Sequence, residues 1–286
     1  MTLPYEVNTK DPLAVCAYAR TVFVRLGWGP SVPLVEHVFT DVSRMFAGEY
    51  PGYRGIDMRY HDFEHTLQAT VCLLDIMQGR QRAGTLPALT SRDGELAVMA
   101  ALLHDAGFLK RTDDPEGTGA KYTLVHERRS CDFARSYLPS LGVNADEIED
   151  VCAAISCTGP RNRIATHVFR RPEARTIACI LMTADYLAQM SAGDYPSKLQ
   201  VLYNEFEEAF DYEGVPADKR PYRGVRELFQ KTPDFWAKFV RPMLESEADG
   251  VFNYLSNTGQ TNPYLDAVEA NMVEIRRLVQ EGLVSV

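Results

Sequence analysis

Glu95–Lys110, ELAVMAALLHDAGFLK, is apolar from Leu96 to Leu103 and then turns abruptly polar at His104-Asp105. Ala97, Ala100, Ala101, Leu102 and Leu103 make a surface that a helix would bury, and Gly107, just past the polar pair, reads as the helix stop. An imidazole and a carboxylate at the inner end of a buried helix are costly unless something pairs with them. A divalent cation does so, because neutral imidazole and carboxylate are both good ligands of first-row metals. A capped helix end with a hydrogen-bonded pair would satisfy the same two residues, so the rest of the chain has to decide.

The 286 residues are 45% hydrophobic, enough for one large core or two modest domains. Few segments alternate at period two, whereas stretches rich in Ala, Leu, Glu and Arg run at helical period, which makes the fold class all-α. A formal net charge of −9 with no basic run speaks against nucleic acid or an anionic membrane as the main partner. No apolar run reaches the length of a membrane span, and the start MTLPYEVNTK lacks the shape of a signal peptide. The six cysteines lie singly within helical patterns with no CxxC, as buried free thiols in a reducing cytosol would.

Asp11–Leu26 and Val32–Phe46 read as two amphipathic helices broken at Gly27-Trp28-Gly29-Pro30, and with a Gly/Pro/Tyr-rich loop they form an N-terminal extension over residues 1–50. Residues 51–286 show no further boundary and read as one catalytic unit. His37, in the second helix, has no candidate ligand near it in sequence. Tyr60-His61-Asp62-Phe63-Glu64-His65 leads into another apolar helix, and the spacing of His61 and His65 puts both on one helical face. A loop over Gly79–Arg92 then returns the chain antiparallel, which would bring His65 beside His104 and Asp105. Thr112–Lys121 is a polar loop leaving that site. His126 opens the next helix, HERRSCDFARSYLPSLG, and is either a plain helix-terminal residue or a further member of the site. Pro160–Pro172 carries Arg161, Arg163, Arg170, Arg171 and His167, a solvated basic loop or a phosphate contact. In Ala174–Met190, Asp185 is the only charge from Thr176 onward, and a lone mid-helix carboxylate in such a run needs a partner, best supplied by a metal. Lys198–Tyr212, Pro233–Leu244 and Asn262–Gly282 read as the closing helices.

HxxxH, then HD, then a buried Asp eighty residues later is a specific pattern. It resembles the HD superfamily of metal-dependent phosphohydrolases, and most closely the catalytic domain of class I cyclic nucleotide phosphodiesterases, over roughly Tyr60 to Leu278. Tyr60-His61-…-His65 is similar to that family's YHxxxH signature, Leu103-His104-Asp105 to its HD pair, and Thr183-Ala184-Asp185 to its later ADxS ligand. Glu205-Phe206 falls where the family has a Glu-Phe pair, and Phe235-Trp236-…-Pro242 resembles the helix with its base-clamping Phe. The resemblance implies a compact multi-helix bundle with a metal site between core helices. His65, His104, Asp105 and Asp185 would hold a first ion (zinc, iron or manganese), and Asp105 would bridge to a second (magnesium or manganese) held mostly by water. His61 would be the general acid, oriented by Glu205, and Phe235 would stack on the base.

The chemistry of a phosphodiester fits such roles. Its charge must be neutralised, a nucleophile made at neutral pH, and a basic departing alkoxide protonated. The chain departs from the family where the base is read. Thr232 stands where the family has a purine-reading Gln, with Gln230 nearby, Ala188 replaces an Asn, and Phe108 replaces a His. Tyr60, Phe235, Gln230 and His126 are the candidate substrate contacts. The substrate expected is a small phosphoester, a cyclic nucleotide first. The alternatives are another phosphoester (a nucleotide monoester or a guanosine alarmone; no GYP motif is present) and a metal-binding regulatory protein without turnover.

Overall fold

Eleven α-helices joined by short 3₁₀ turns account for the regular structure of the described residues, which in this computed structural model are 7–159, 163–256 and 261–284. The chain is all-α, and its only extended pairing among those residues is an isolated bridge between Tyr53 and Arg111. Arg161 of the basic segment lies outside the described residues.

Helix α1 (Pro12–Arg25) starts where expected: the Asp11 side chain accepts the Leu13 amide hydrogen at 2.9 Å and Pro12 takes the first helical position. A 3₁₀ turn over Gly29–Ser31 leads to α2 (Val32–Ala47), which ends on Gly48 at φ 81°, a left-handed conformation that glycine adopts without steric cost. Then follow α3 (Phe63–Arg82), α4 (Ser91–Leu103), α5 (His126–Tyr137), α6 (Ala145–Ser156), α7 (Pro172–Ser191) and α8 (Tyr195–Tyr212). The chain closes with α9 (Val225–Phe235), α10 (Arg241–Ser246) and α11 (Pro263–Gln280).

Helices α3 and α7 lie side by side at the centre, with α4 against both. Every residue is buried from His65 to Leu74 in α3, from Ile177 to Ala188 in α7, and from Asp93 to Lys110 through α4 and beyond. Helices with no polar face need neighbours all round. Here α1, α2, α5, α6 and α11 provide them, and Val15 to Phe23 and Val35 to Phe46 join the same core as α3 and α4. Each large side chain buried on α4, such as Leu96, Met99, Leu102 and Leu103, contributes about 1.5–3 kcal/mol. That is ample to carry a polar pair into the interior at the helix end.

Two expectations about boundaries need correction. Helix α3 runs through Gly79 to Arg82, so the return loop is shorter than Gly79–Arg92. Gly79 is a contact residue, because a Cβ there would lie 1.9 Å from the Tyr254 carbonyl oxygen. The final helices begin a full two turns before Pro233, at Val225. Pro233 sits inside α9, and the helix widens to a π turn over Trp236–Val240 before α10.

Gly107 also differs from its expected role. Helix α4 ends at Leu103 with His104 as its cap, and Gly107 lies within a 3₁₀ turn, Ala106–Phe108, without positive φ. What demands glycine is the start of α5: a Cβ would come within 2.0 Å of the His126 carbonyl oxygen. Gly107→Ala must push α5 away from the end of α4. Such overpacking costs about 1–3 kcal/mol, so a fall of several degrees in Tm is expected, and an unchanged Tm would show that the two segments are loosely apposed.

No helix among the described residues is long and apolar enough to cross a membrane. Five of the cysteines are buried and Cys16 is half-buried, all as free thiols.

Candidate metal centre

Asp62 caps α3: its carboxylate accepts the His65 amide hydrogen at 2.9 Å, which seats His65 in the first turn with its ring turned inward. His104 caps the end of α4, and its Nδ1 lies 2.7 Å from the Ala101 carbonyl oxygen. A carbonyl only accepts, so Nδ1 carries a hydrogen and Nε2 is the ring atom turned to the interior, the one that either holds the second proton or takes a cation in its place. Asp105 follows in the turn, and Asp185 projects from mid-α7.

These side chains converge. His65 Nε2 is 3.1 Å from Asp185 Oδ1 and 3.4 Å from Asp105 Oδ2, while His104 Nε2 is 3.5 Å and 3.3 Å from the same two oxygens. The two Nε2 atoms are 3.4 Å apart. Donors adjacent around one cation, with bonds of about 2.0–2.2 Å, stand about 3–3.5 Å from one another, so the spacing suits a single ion. His65, His104 and Asp185 form a buried group whose donor atoms all lie within 4.8 Å, and Asp105 reaches both imidazoles from beside it. Asp105 Oδ2 is buried and accepts no hydrogen bond, which is costly unless a cation takes it. The site also lies at the carboxyl end of α4, where the helix dipole favours positive charge.

The turn that carries His104 and Asp105 is clasped by α5. Ser130 Oγ donates to the His104 carbonyl at 2.5 Å and accepts the Gly107 amide hydrogen at 2.8 Å. Arg129 donates to the carbonyls of Gly107 and Leu109 at 2.7 and 3.0 Å. The carbonyl of His104 at the end of α4, and those of the turn after it, are thereby satisfied and the His104-Asp105 pair is held in place.

Electrostatics follow from the geometry. With no cation between them, burial works against a charged His104, but Asp105 and Asp185 outweigh it and hold its pKa up at about 9. Burial would raise Asp105 and Asp185, yet the facing imidazoles bring both below the usual carboxylate range. A raised histidine stabilises fully below its unfolded value, 6.5, and that contribution is lost as the pH climbs through about 9. The lowered carboxylates act in the opposite sense, contributing above about pH 4 and failing below it. Protein dialysed against a chelator is therefore expected to lose Tm between about pH 6.5 and 9, a loss that metal-loaded protein does not share. A chelated protein with level Tm across that window would contradict the charged description.

His61 lies outside the helix. The expectation that it shares a helical face with His65 is corrected by Asp62, whose capping role starts α3 only at Phe63. Its position is set from α8 instead. Glu205 Oε2 is 2.8 Å from His61 Nδ1, and Oε1 accepts the amide hydrogens of Arg59 and Tyr60 at 3.1 and 2.8 Å. Burial lowers the His61 pKa, but the hydrogen bond and charge of Glu205 more than reverse this and raise it. Nε2 is left facing the cavity that His61 lines.

His126 is both the first residue of α5 and a neighbour of the centre. Its Nδ1 is 2.8 Å from the Thr123 carbonyl oxygen, so Nε2 bears the lone pair, 3.8 Å from Asp105 Oδ1. Phe108 stacks against both free imidazoles, with centroids 4.8 Å from His61 and 4.3 Å from His126.

A cavity of about 610 Å³ opens onto this arrangement, lined by Tyr60, His61, His65, Asp105, His126, Asp185, Thr232 and Phe235 among others. Tyr60 is held by its hydroxyl, which donates to Gln189 Oε1 at 2.7 Å. Gln230 is not brought to the site: it is exposed on α9 and absent from the lining, because Leu228 and Thr232 occupy the inward face. His37 is remote from the cluster and pairs with Asp41 at 3.5 Å. The described arginines of the basic segment make ion pairs, Arg163 with Glu247, Arg170 with Asp146, and Arg171 with Asp93 and Asp150. Gln189, Tyr186, Tyr195 and Tyr222 line the cavity without having been singled out as contacts, since as isolated polar or aromatic residues they carry no pattern.

The chain matches no family model, and no curated protein matches it in sequence.

Proposed function

We propose that this chain is a metal-dependent phosphohydrolase of the HD type, acting on a phosphodiester in the manner of the class I cyclic nucleotide phosphodiesterases that its motifs resemble. One observation carries this reading: an imidazole outside the ligand group, His61, held by a carboxylate, opens onto the same cavity as a buried His/Asp cluster. A purely structural metal site has no use for such a group.

His65, His104, Asp105 and Asp185 are the residues that would hold a first ion, zinc, iron or manganese by donor type. Asp105 Oδ1 and His126 Nε2 face each other at a distance that leaves room for a second, magnesium or manganese. Divalent ions there supply charge neutralisation of the phosphoryl oxygens and a water acidic enough to attack at neutral pH. The chain supplies the rest. Glu205 keeps the His61 ring oriented and its pKa raised, so Nε2 can hold a proton and deliver it to the departing oxygen as the P–O bond breaks. Gln189 donates to Asp185 Oδ1 at 3.3 Å and steadies that ligand. Buried free thiols suit action in a reducing cytosol. The roominess of the cavity keeps a second phosphoester class, monoesters or alarmones, in the reading.

The test is hydrolysis of cyclic AMP, cyclic GMP and a panel of mono- and diesters by manganese-supplied protein, with Asp105→Ala as blank. Turnover that the blank and a chelated sample lack is expected. Absence of turnover on every ester, in protein shown by mass spectrometry to carry metal, would overturn the hydrolase reading.

A further inference from the structure

Two cysteines meet where α5 packs on α6. Cys131 Sγ lies 3.4 Å from the Cys152 carbonyl oxygen, and Cys152 Sγ lies 3.6 Å from the Cys131 carbonyl oxygen. Each thiol thus rests on the other residue's backbone, and the two side chains are within hydrogen-bonding reach of each other. Ser156 Oγ stands 3.6 Å from Cys131 Sγ. Cys131 and Ser156 both line the cavity, whereas Cys152 does not reach it. The phosphohydrolase reading gives neither cysteine a task.

The pair is set apart from the other four thiols. Burial pushes Cys16 up to about 11 and Cys157 and Cys179 up to about 12, and it carries Cys72 well above the ordinary value. Cys131 moves the other way. Hydrogen bonds from Cys152 and Ser156, helped by the Arg135 guanidinium, outweigh its burial and lower its pKa. The same bond to Cys131, together with burial, raises Cys152. A thiolate is the form that attacks peroxide, and the small oxidant has a path to Cys131 through the cavity. A second thiol in contact is what turns the first oxidation product into a disulfide.

We propose that Cys131 and Cys152 are a reversible oxidation site for hydrogen peroxide, Cys131 being the attacking thiol and Cys152 the resolving one. Cys131 Sγ, as thiolate, attacks one peroxide oxygen and the O–O bond breaks. The other oxygen leaves as hydroxide and takes up the proton that Cys131 lost, giving water and a sulfenic acid. Cys152 Sγ then attacks the Cys131 sulfur, the S–O bond breaks, and the hydroxyl departs as water with the Cys152 proton. The two sulfurs together lose two electrons, and the peroxide gains them. Exchange with a small thiol reopens the bridge. It would tie α5 to α6 beside Ser130, the residue that holds the His104-Asp105 turn.

The experiment is titration of the full chain with stoichiometric hydrogen peroxide, followed by alkylation of the remaining thiols and peptide mapping by mass spectrometry. The chain is freed of reductant and supplied with zinc, which has no redox chemistry of its own. A Cys131–Cys152 cross-linked peptide that dithiothreitol abolishes is expected, with the other four cysteines still alkylated. Cys131 should be consumed at least about tenfold faster than Cys16, because its larger thiolate fraction outweighs the lower nucleophilicity of a more acidic thiol. Cys152→Ala should stop at a sulfenic acid on Cys131 that dimedone traps, and Cys131→Ala should leave Cys152 reduced. In the unaltered chain, Cys16 reacting first, a Cys131–Cys157 bridge, or six thiols that all stay reduced would each overturn the proposal, whatever the variants' folding. Sulfenic acid trapped on Cys152 would overturn the assignment of roles.

Discussion

Asp105→Ala is expected to strip the protein of metal and of all measurable turnover together. Asp105 is the one residue that faces both imidazoles through Oδ2 and His126 through Oδ1. Its removal leaves two buried imidazoles 3.4 Å apart with Asp185 as the only carboxylate beside them. Inductively coupled plasma mass spectrometry should show metal per chain falling to background, with circular dichroism unchanged because α4 ends at Leu103, ahead of the substitution. The metal-loaded parent should be more thermostable than its chelated form, by about 2.7 kcal/mol at a metal concentration a hundred times Kd, and Asp105→Ala should show no such gain. Full metal content in this variant would reduce His104-Asp105 to a hydrogen-bonded helix end, the plainer reading that the motif alone allows.

His61→Ala should do the reverse, sparing the metal and removing the chemistry. His61 touches none of the ligand oxygens in the ion pairs that define the centre, and its Nδ1 is spent on Glu205. Loss of a positioned general acid lowers kcat by about 10²–10⁴-fold. Leaving-group dependence gives a sharper check. An ester of p-nitrophenol releases p-nitrophenolate, which departs without protonation as the P–O bond breaks, so the variant should lose far less on that substrate than on one releasing an alkoxide. Glu205→Gln keeps an acceptor for the Arg59 and Tyr60 amides but withdraws the charge that raises His61. The basic limb of its pH–rate profile should therefore move to lower pH. Metal loss in His61→Ala, or equal loss on both ester types, would mean that His61 is a ligand or a structural residue.

The all-α class and most helix starts were legible because capping is local chemistry. Asp11 before Pro12 and Asn262 before Pro263 announce helices that the structure places within a residue of the expected start. The buried carboxylate Asp185 was legible for a related reason, since one charge in a long apolar run leaves few physical outcomes. What escaped reading depends on distant neighbours. Gly79 and Gly107 looked like breaks, yet each is small because another chain segment, Tyr254 or His126, presses against it. His61 seemed to owe its place to helical spacing, whereas a carboxylate more than a hundred positions later sets it. The inward face of α9, which excludes Gln230 and admits Thr232, belongs to a helix that starts at Val225, eight residues ahead of the expected start at Pro233.

Glu205 and Phe206 are consecutive residues of α8, one gripping the His61 imidazole and the preceding backbone, the other lining the cavity. A shift of α8 along its axis would therefore move the His61 ring and the cavity wall in the same stroke. On the proposed hydrolase reading, diversification of this chain has little freedom to retune substrate scope through α8 without detuning turnover. Variants with altered scope should accumulate changes on α9 and at Tyr222, and leave α8 in register.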